Sequence, residues 1–141
     1  MRKKEIMMTV QSAVAAIEVG GNTLLRYVDK DWGQLNTETP AVHFPCVLVD
    51  IENVSYRHTS CGERADAEVV VTYANLRTVS SSATSPDIAV SYSGMDNLEA
   101  INDAITAIES DQHTALIRTG FSKVQAGTGY ECYQMTYKVS W

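Results

Sequence analysis

The sequence predicts an α+β fold, a mostly antiparallel sheet of about five strands packed with two amphipathic helices in the order α-β-β-β-(loop)-α-β-β. Three patterns lead there. Near the amino terminus Met7, Val10, Val14 and Ile17 recur along one helical face. Leu98, Ile101, Ile105 and Ile108 do the same further on, against Asn97, Asn102, Asp103 and Glu109 on the opposite side. At the carboxyl end Tyr133, Met135, Tyr137, Val139 and Trp141 alternate with Cys132, Gln134, Thr136, Lys138 and Ser140, the period of a half-buried strand.

The first helix is expected from about Lys3 to Val19, stopped by Gly20-Gly21. Leu24–Val28 (LLRYV) reads as a short strand before the polar DKDWG turn. The stretch 32–51, WGQLNTETPAVHFPCVLVDI, runs from a covered loop into a strand apolar on both faces, expected over Phe44–Val54 with Pro45 at its entrance or along an unpaired edge. The turn RHTSCGER leads to a strand over Ala65–Leu76, where Val69, Val71 and Tyr73 face one way and Asp66, Glu68 and Thr72 the other. A long Ser-rich loop follows at about 78–94, inside which Ile88, Val90 and Tyr92 alternate like a brief strand. The second helix is expected to be capped by Ser93 or Asp96, with Asp96 or Glu99 completing a capping box. Ala115–Val124 and Tyr130–Trp141 close the chain as a pair joined by QAGTG.

At 141 residues and 45% hydrophobic content the chain suits one domain, 1–141. No apolar run approaches the ~20 residues that cross a bilayer. The basic start and AVAA imitate a secretory signal, but Glu5, Thr9, Gln11 and Ser12 interrupt it, so the chain is expected to stay in the cytoplasm. Cys46, Cys61 and Cys132 lack a framework spacing and read as free thiols of a reducing compartment. Asn53-Val54-Ser55 matches a glycosylation acceptor that means little there.

Charge is uneven. Residues 1–30 carry +2, residues 31–110 carry −9 and residues 111–141 carry +1, for a total of −6. That balance disfavours neutralising many phosphates. It suits either a solvated acidic face or a surface that DNA slides past.

Four residues, His43-x-x-Cys46 and His58-x-x-Cys61, could wrap a tetrahedral zinc. Pro45 and strand parity oppose it, because His43 and Cys46 point to opposite faces of an extended segment. A buried strand cysteine with surface histidines is the plainer reading. Cys61 beside His58 and Arg64 has parts of an activated thiol, in an acidic segment that does not favour thiolate. The carboxylate pairs Asp29/Asp31, Asp50/Glu52 and Asp66/Glu68 fit wet surface better than acid–base work. Gly127–Gly129 is a hairpin turn with no following helix to hold a phosphate. No nucleotide, hydrolase, zinc-protease or calcium-loop motif is present, and no cofactor is expected.

With WGQL, PAVHFPCVLVDI, the Ser-rich loop, the second helix and the terminal hairpin laid out, the chain resembles the small tail-terminator (tail-completion) and neck proteins of long-tailed bacteriophages, in particular those of prophages in Bacteroides-like bacteria. The resemblance spans nearly the whole chain in element order and length, and is sharpest over Trp32–Ile51 and Tyr133–Trp141. It implies a non-enzymatic ring of subunits, commonly six, that stops growth of the tail tube and joins it to the head connector. Its partners would be further copies, the tail-tube protein and the connector protein, with DNA passing through the lumen and no sequence-specific reading. It would assemble in the bacterial cytoplasm and end in the virion. In this setting Ile88, Val90 and Tyr92 are a candidate arm for a neighbour's sheet edge. Trp32 and Leu35 are candidate subunit contacts, with local packing under the loop as the alternative. The rival from another class is a small metal- or ligand-binding domain using His43, Cys46, His58 and Cys61.

Overall fold

A computed structural model describes residues 2–37, 39–77, 81–124 and 129–141. Helix α1 (Arg2–Ala15) buries Ile6, Val10 and Val14, one stripe of its surface. It stops four residues before the expected end. Gly20-Gly21 proves to be the turn of a small hairpin, β1 (Glu18–Val19) and β2 (Asn22–Thr23). Both glycines have positive φ, 62° and 84°, which a two-residue hairpin turn of this kind demands. The chain then pairs as β3 (Tyr27–Lys30), which ends two residues beyond the expected LLRYV strand.

The main sheet has the order β3-β4-β5-β7-β6. Strand β4 (Cys46–Thr59) and strand β5 (Gly62–Leu76) form its longest hairpin. The turn between them is only Ser60-Cys61, much shorter than the RHTSCGER turn expected. Thr59 and Gly62 close it: the Thr59 Oγ1 donates to the Gly62 carbonyl at 2.8 Å, and Gly62 takes a φ of 112°. Strand β3 lies parallel to β4, and every other neighbouring pair is antiparallel. Strands β6 (Ile117–Lys123) and β7 (Tyr130–Ser140) occupy the far side. Residues 125–128 of their connection lie outside the described residues.

The Ser-rich stretch departs most from expectation. Residues 78–80 lie outside the described residues. Ile88–Ser91 forms a short helix, α2, followed directly by α3 (Ser93–Thr106), so Ile88, Val90 and Tyr92 are not a strand. Val90 and Tyr92 are exposed, so their alternation has no sheet face to bury against. Backbone bonds such as Ser91 N to the Asp87 carbonyl, 3.0 Å, satisfy the segment locally instead. The expected capping box is also absent: Tyr92 occupies the cap position of α3 without a side-chain bond.

Both helices cover one sheet face. Helix α1 contacts β3 and β4, α3 contacts β6, and the helices touch each other. Ile6, Val10, Leu98, Ile101 and Ile105 meet Val49, Val69, Val71, Met135, Tyr137 and Val139 in one core, as the alternation of β5 and β7 requires. Asn97 Nδ2 donates to the Tyr73 hydroxyl at 3.0 Å, and the Tyr137 hydroxyl donates to Asn102 Oδ1 at 2.8 Å. These bonds satisfy phenols that would otherwise be stranded in the core.

Candidate functional site

Three surfaces stand out. The first is the WGQL loop. Gly33, at a φ of 94°, turns the chain into a 3-10 turn over Gln34–Asn36 and drives Gln34 fully inside. There its Nε2 donates to the Lys30 carbonyl at 2.9 Å and to Asp29 Oδ2 at 3.3 Å, while its Oε1 accepts from the Trp32 amide at 2.9 Å. Asp29 is the hub, also accepting from the Tyr27 hydroxyl at 2.7 Å and from Trp32 Nε1 at 3.3 Å. The Tyr27 hydrogen bond, reinforced by the Lys30, Trp32 and Gln34 donors, holds the Asp29 carboxyl below the ordinary aspartate range. The same hydrogen bond raises the Tyr27 phenol.

The loop roofs the second sheet face at one end. Cys46, Ala74 and Cys132 are buried beneath Tyr27, Leu35, Val42, Phe44, Val124 and Tyr130. The Tyr130 hydroxyl donates to the Leu35 carbonyl at 3.0 Å, and the Phe44 and Tyr130 rings lie 5.2 Å apart. Leu35 therefore packs locally. Trp32 is 58% exposed, its ring N–H donating to Asp29, so core packing does not account for it. The anchoring role of Gln34 is not legible in the sequence, because a lone glutamine gives no sign of being buried.

The second surface surrounds the start of α3. Val90 (59% exposed), Tyr92 (55%) and Phe121 (53%) stand out with Met95 and Leu76. Phe121 stacks on Tyr133 at 5.6 Å, and Met95 and Phe121 line an open groove between α3 and β6. Large apolar side chains gathered in this way mark an interaction surface. Ile88 is half-buried. The neighbouring cleft beside Tyr73, Asn75 and Val90 holds about 90 Å3, far below a cofactor pocket.

The third surface is the β4–β5 ribbon. Strand β7 ends its pairing with β5 at Asp66, and Ala65 exchanges backbone bonds with Trp141. Among the described residues no further strand pairs with the hairpin beyond that point, over roughly 13 Å at strand rise. Tyr56, Arg57, His58, Cys61 and Arg64 are exposed along it.

The candidate zinc ligands are not brought together. Cys46 begins β4 and His58 lies twelve residues along it, about 40 Å away at strand rise. His43 precedes the strand on the surface and Cys61 is at the hairpin tip. Among the described residues no three His, Cys, Asp or Glu side chains converge on a metal position. Burial pushes the Cys46 thiol up to about 12 and that of Cys132 to about 11, so neither is a nucleophile at neutral pH. Cys61 sits within 3.9 Å of the Ser60 hydroxyl on an open turn rather than in a cleft with His58.

The carboxylates take a common side. Asp50 and Glu52 on β4, and Asp66 and Glu68 on β5, occupy the face away from the helices, beyond the roofing loop. Asp66 accepts from Ser140 Oγ and meets Arg57 at 3.5 Å, and Glu68 accepts from Asn53 at 2.9 Å. Asp29 and Asp31 belong instead to the loop, where Asp31 accepts from the Gly33 amide at 3.0 Å.

The fold thus defines a two-layer α+β module, a mostly antiparallel sheet with helices on one face and a loop roofing part of the other. Such a module appears in a chain of a solved structure described as the virion of a native gene transfer agent (GTA) particle, with a TM-score of 0.63 at 12% identity over 95% of this chain and 92% of that one. At that identity the likeness is one of fold. No protein-family profile and no curated protein matches the sequence.

Proposed function

We propose that the protein is a structural subunit of a phage-type particle, of the tail-terminator or neck kind, and that it works without catalysis. The observation that carries this reading is the fold likeness to a virion chain across almost the full length of both. The sequence resemblance to tail-terminator and neck proteins points the same way independently. In this reading the 141 residues act as one domain. Further copies close a ring, six being the number the resemblance implies, at the end of the tail tube. One rim of the ring meets the tube protein and the other the head connector. The subunits assemble in the bacterial cytoplasm and remain in the virion; among the described residues no helix is long and apolar enough to cross a membrane.

The charge balance of the sheet face away from the helices supports a passage role rather than a reading role. Asp50, Glu52, Asp66 and Glu68 share one sheet face with Arg57, Arg64 and Lys138, a mixed surface without the excess of positive charge that grips phosphates, so DNA would slide past. Co-expression with the tail-tube protein, followed by negative-stain electron microscopy, tests the assignment. Rings at tube ends and tubes of limited length are expected. Tubes of unlimited length with no bound subunit would reject it.

A further inference from the structure

The two lateral edges of the sheet are built as complements. Strand β3 pairs only Cys46–Val49 of β4. Among the described residues nothing pairs with the outer edge of β4 from Asp50 to Thr59. At the other edge β6 has one neighbour, β7, and exposes Ile117 (62%) and Phe121. An open strand edge of that length is a template for another strand.

Strand sense allows the two edges to meet. Following the antiparallel pairs from β4 through β5 and β7 to β6 shows that β4 and β6 run in opposite directions. Copies related by rotation keep their strand sense, so β6 of one would lie antiparallel to β4 of the next. Strand β6 stands level with residues 47–52, partly covered by β3, so strands inclined to the rotation axis, as in a closed sheet, carry it to Asp50–Thr59. Each edge also carries one register shift, between Glu52 and Ser55 on β4 and between Arg118 and Gly120 on β6. Such bulges add the twist and bend that a closing sheet needs.

The helices above the edges have opposite charge. Helix α1 begins Arg2-Lys3-Lys4, offset only by Glu5, whereas α3 holds Asp96, Glu99 and Asp103 and no basic residue. Their flanks can be assigned. Gln11 Nε2 donates to the Val28 carbonyl at 3.2 Å, so Gln11 looks toward β3. Lys4, two helical turns earlier, lies exposed on the same flank. On α3, Glu99 pairs with Arg118 of β6 at 3.0 Å, and Asp103, one turn later, shares that flank.

We propose that copies of this chain join head to tail, β6 (Ile117–Lys123) of one adding antiparallel to the outer edge of β4 (Asp50–Thr59) of the next, with Lys4 of α1 facing Asp103 of α3 across the seam. The contact is heterologous, as a ring requires. It deepens the ring reading above and rests on it.

The test uses the full chain as wild type, as Lys4→Glu, as Asp103→Lys, and as the double reversal, followed by sedimentation over a range of concentration and salt. Both positions are exposed, so folding should be retained, which circular dichroism and thermal unfolding check in each sample. Wild type is expected to sediment as a closed oligomer. Either single reversal should raise the association midpoint about tenfold or more, and the double variant should recover most of that loss. Phe121→Lys on the strand edge should weaken assembly without being rescued by the charge pair. Rings that form equally well in both single variants would overturn the edge assignment while leaving the ring reading intact, as would a double variant no better than its parents. A wild type that sediments as a monomer at every concentration reached would overturn both.

Discussion

Replacing Gln34 with leucine keeps nearly the same side-chain volume and removes all polar contacts of the loop's buried anchor. Three hydrogen bonds are lost, to the Lys30 carbonyl, to Asp29 and from the Trp32 amide. At about 1 kcal/mol net each, the loss is about 3 kcal/mol. Lys30 and Trp32 are exposed and recover some hydration in the variant, which brings the expectation to about 2 kcal/mol, or roughly 4 to 8 °C in Tm for a chain of this size. Urea unfolding read by far-UV circular dichroism measures it, with an unchanged m-value showing that the denatured state is the same. The substitution Gln34→Glu sharpens the test by placing a second carboxyl within hydrogen-bonding distance of Asp29. The neutral form of the introduced carboxyl is then favoured in the native protein, so its folded pKa rises above the unfolded value. Any stability it retains should be present below about pH 4 and lost as pH climbs through the raised folded pKa. A Gln34→Leu variant unfolding within about 0.3 kcal/mol of wild type would refute the claim that this network holds the loop.

Thiol accessibility should separate the three cysteines. Cys61 on its open turn should react with an aromatic disulfide reagent in the native state, while Cys46 and Cys132 should react only on unfolding, even near pH 9. Three fast thiols in the native protein would mean that the roofing loop does not cover the sheet end. Tyr137→Phe should cost about 1 kcal/mol, because Asn102 Oδ1 loses its donor inside the helix–sheet seam. Desolvation raises the Tyr137 phenol pKa, so the stability tied to its neutral form is complete below the unfolded value near 10 and falls as pH rises past it. The wild type should accordingly lose stability above about pH 10 more steeply than Tyr137→Phe, as read by alkaline urea titrations.

The parts of the fold legible in the sequence were those in which a single face is buried. Leu98, Ile101 and Ile105 are all in the core, and Tyr133, Met135, Tyr137 and Val139 line one side of β7, as their periods predicted. Gly20-Gly21 misled because a helix C-terminus and a two-residue hairpin turn both call for glycine at positive φ. The second half of β4 was invisible to hydropathy: from Ser55 on it is solvated, and only pairing with Gly62–Asp66 makes it a strand. Ile88, Val90 and Tyr92 alternated convincingly, yet alternation is informative only where one face is covered. Of the candidate contact residues, Trp32, Val90 and Tyr92 are exposed as an interface would need, whereas Leu35 is committed to the loop. Gln34 was beyond reach, because its partners converge only after Gly33 has turned the chain.

If the sheet edges pair as proposed, the remaining surfaces acquire distinct positions. A ring built through β6 and β4 has strands inclined to its axis, so one sheet face lines the lumen and the other faces outward. The helices cover one face, and an aqueous lumen leaves the other, with Asp50, Glu52, Asp66 and Glu68, turned inward. The β4–β5 ribbons then project from one rim, bearing Tyr56, Arg57, His58 and Arg64. The apolar cluster of Leu76, Val90, Tyr92, Met95 and Phe121 lies toward the opposite rim, where β5 ends and β7 begins. One rim offers polar arms and the other an apolar ledge. A subunit that must meet two different partners along one axis requires that asymmetry, because two identical rims would let the ring bind a single partner on both sides.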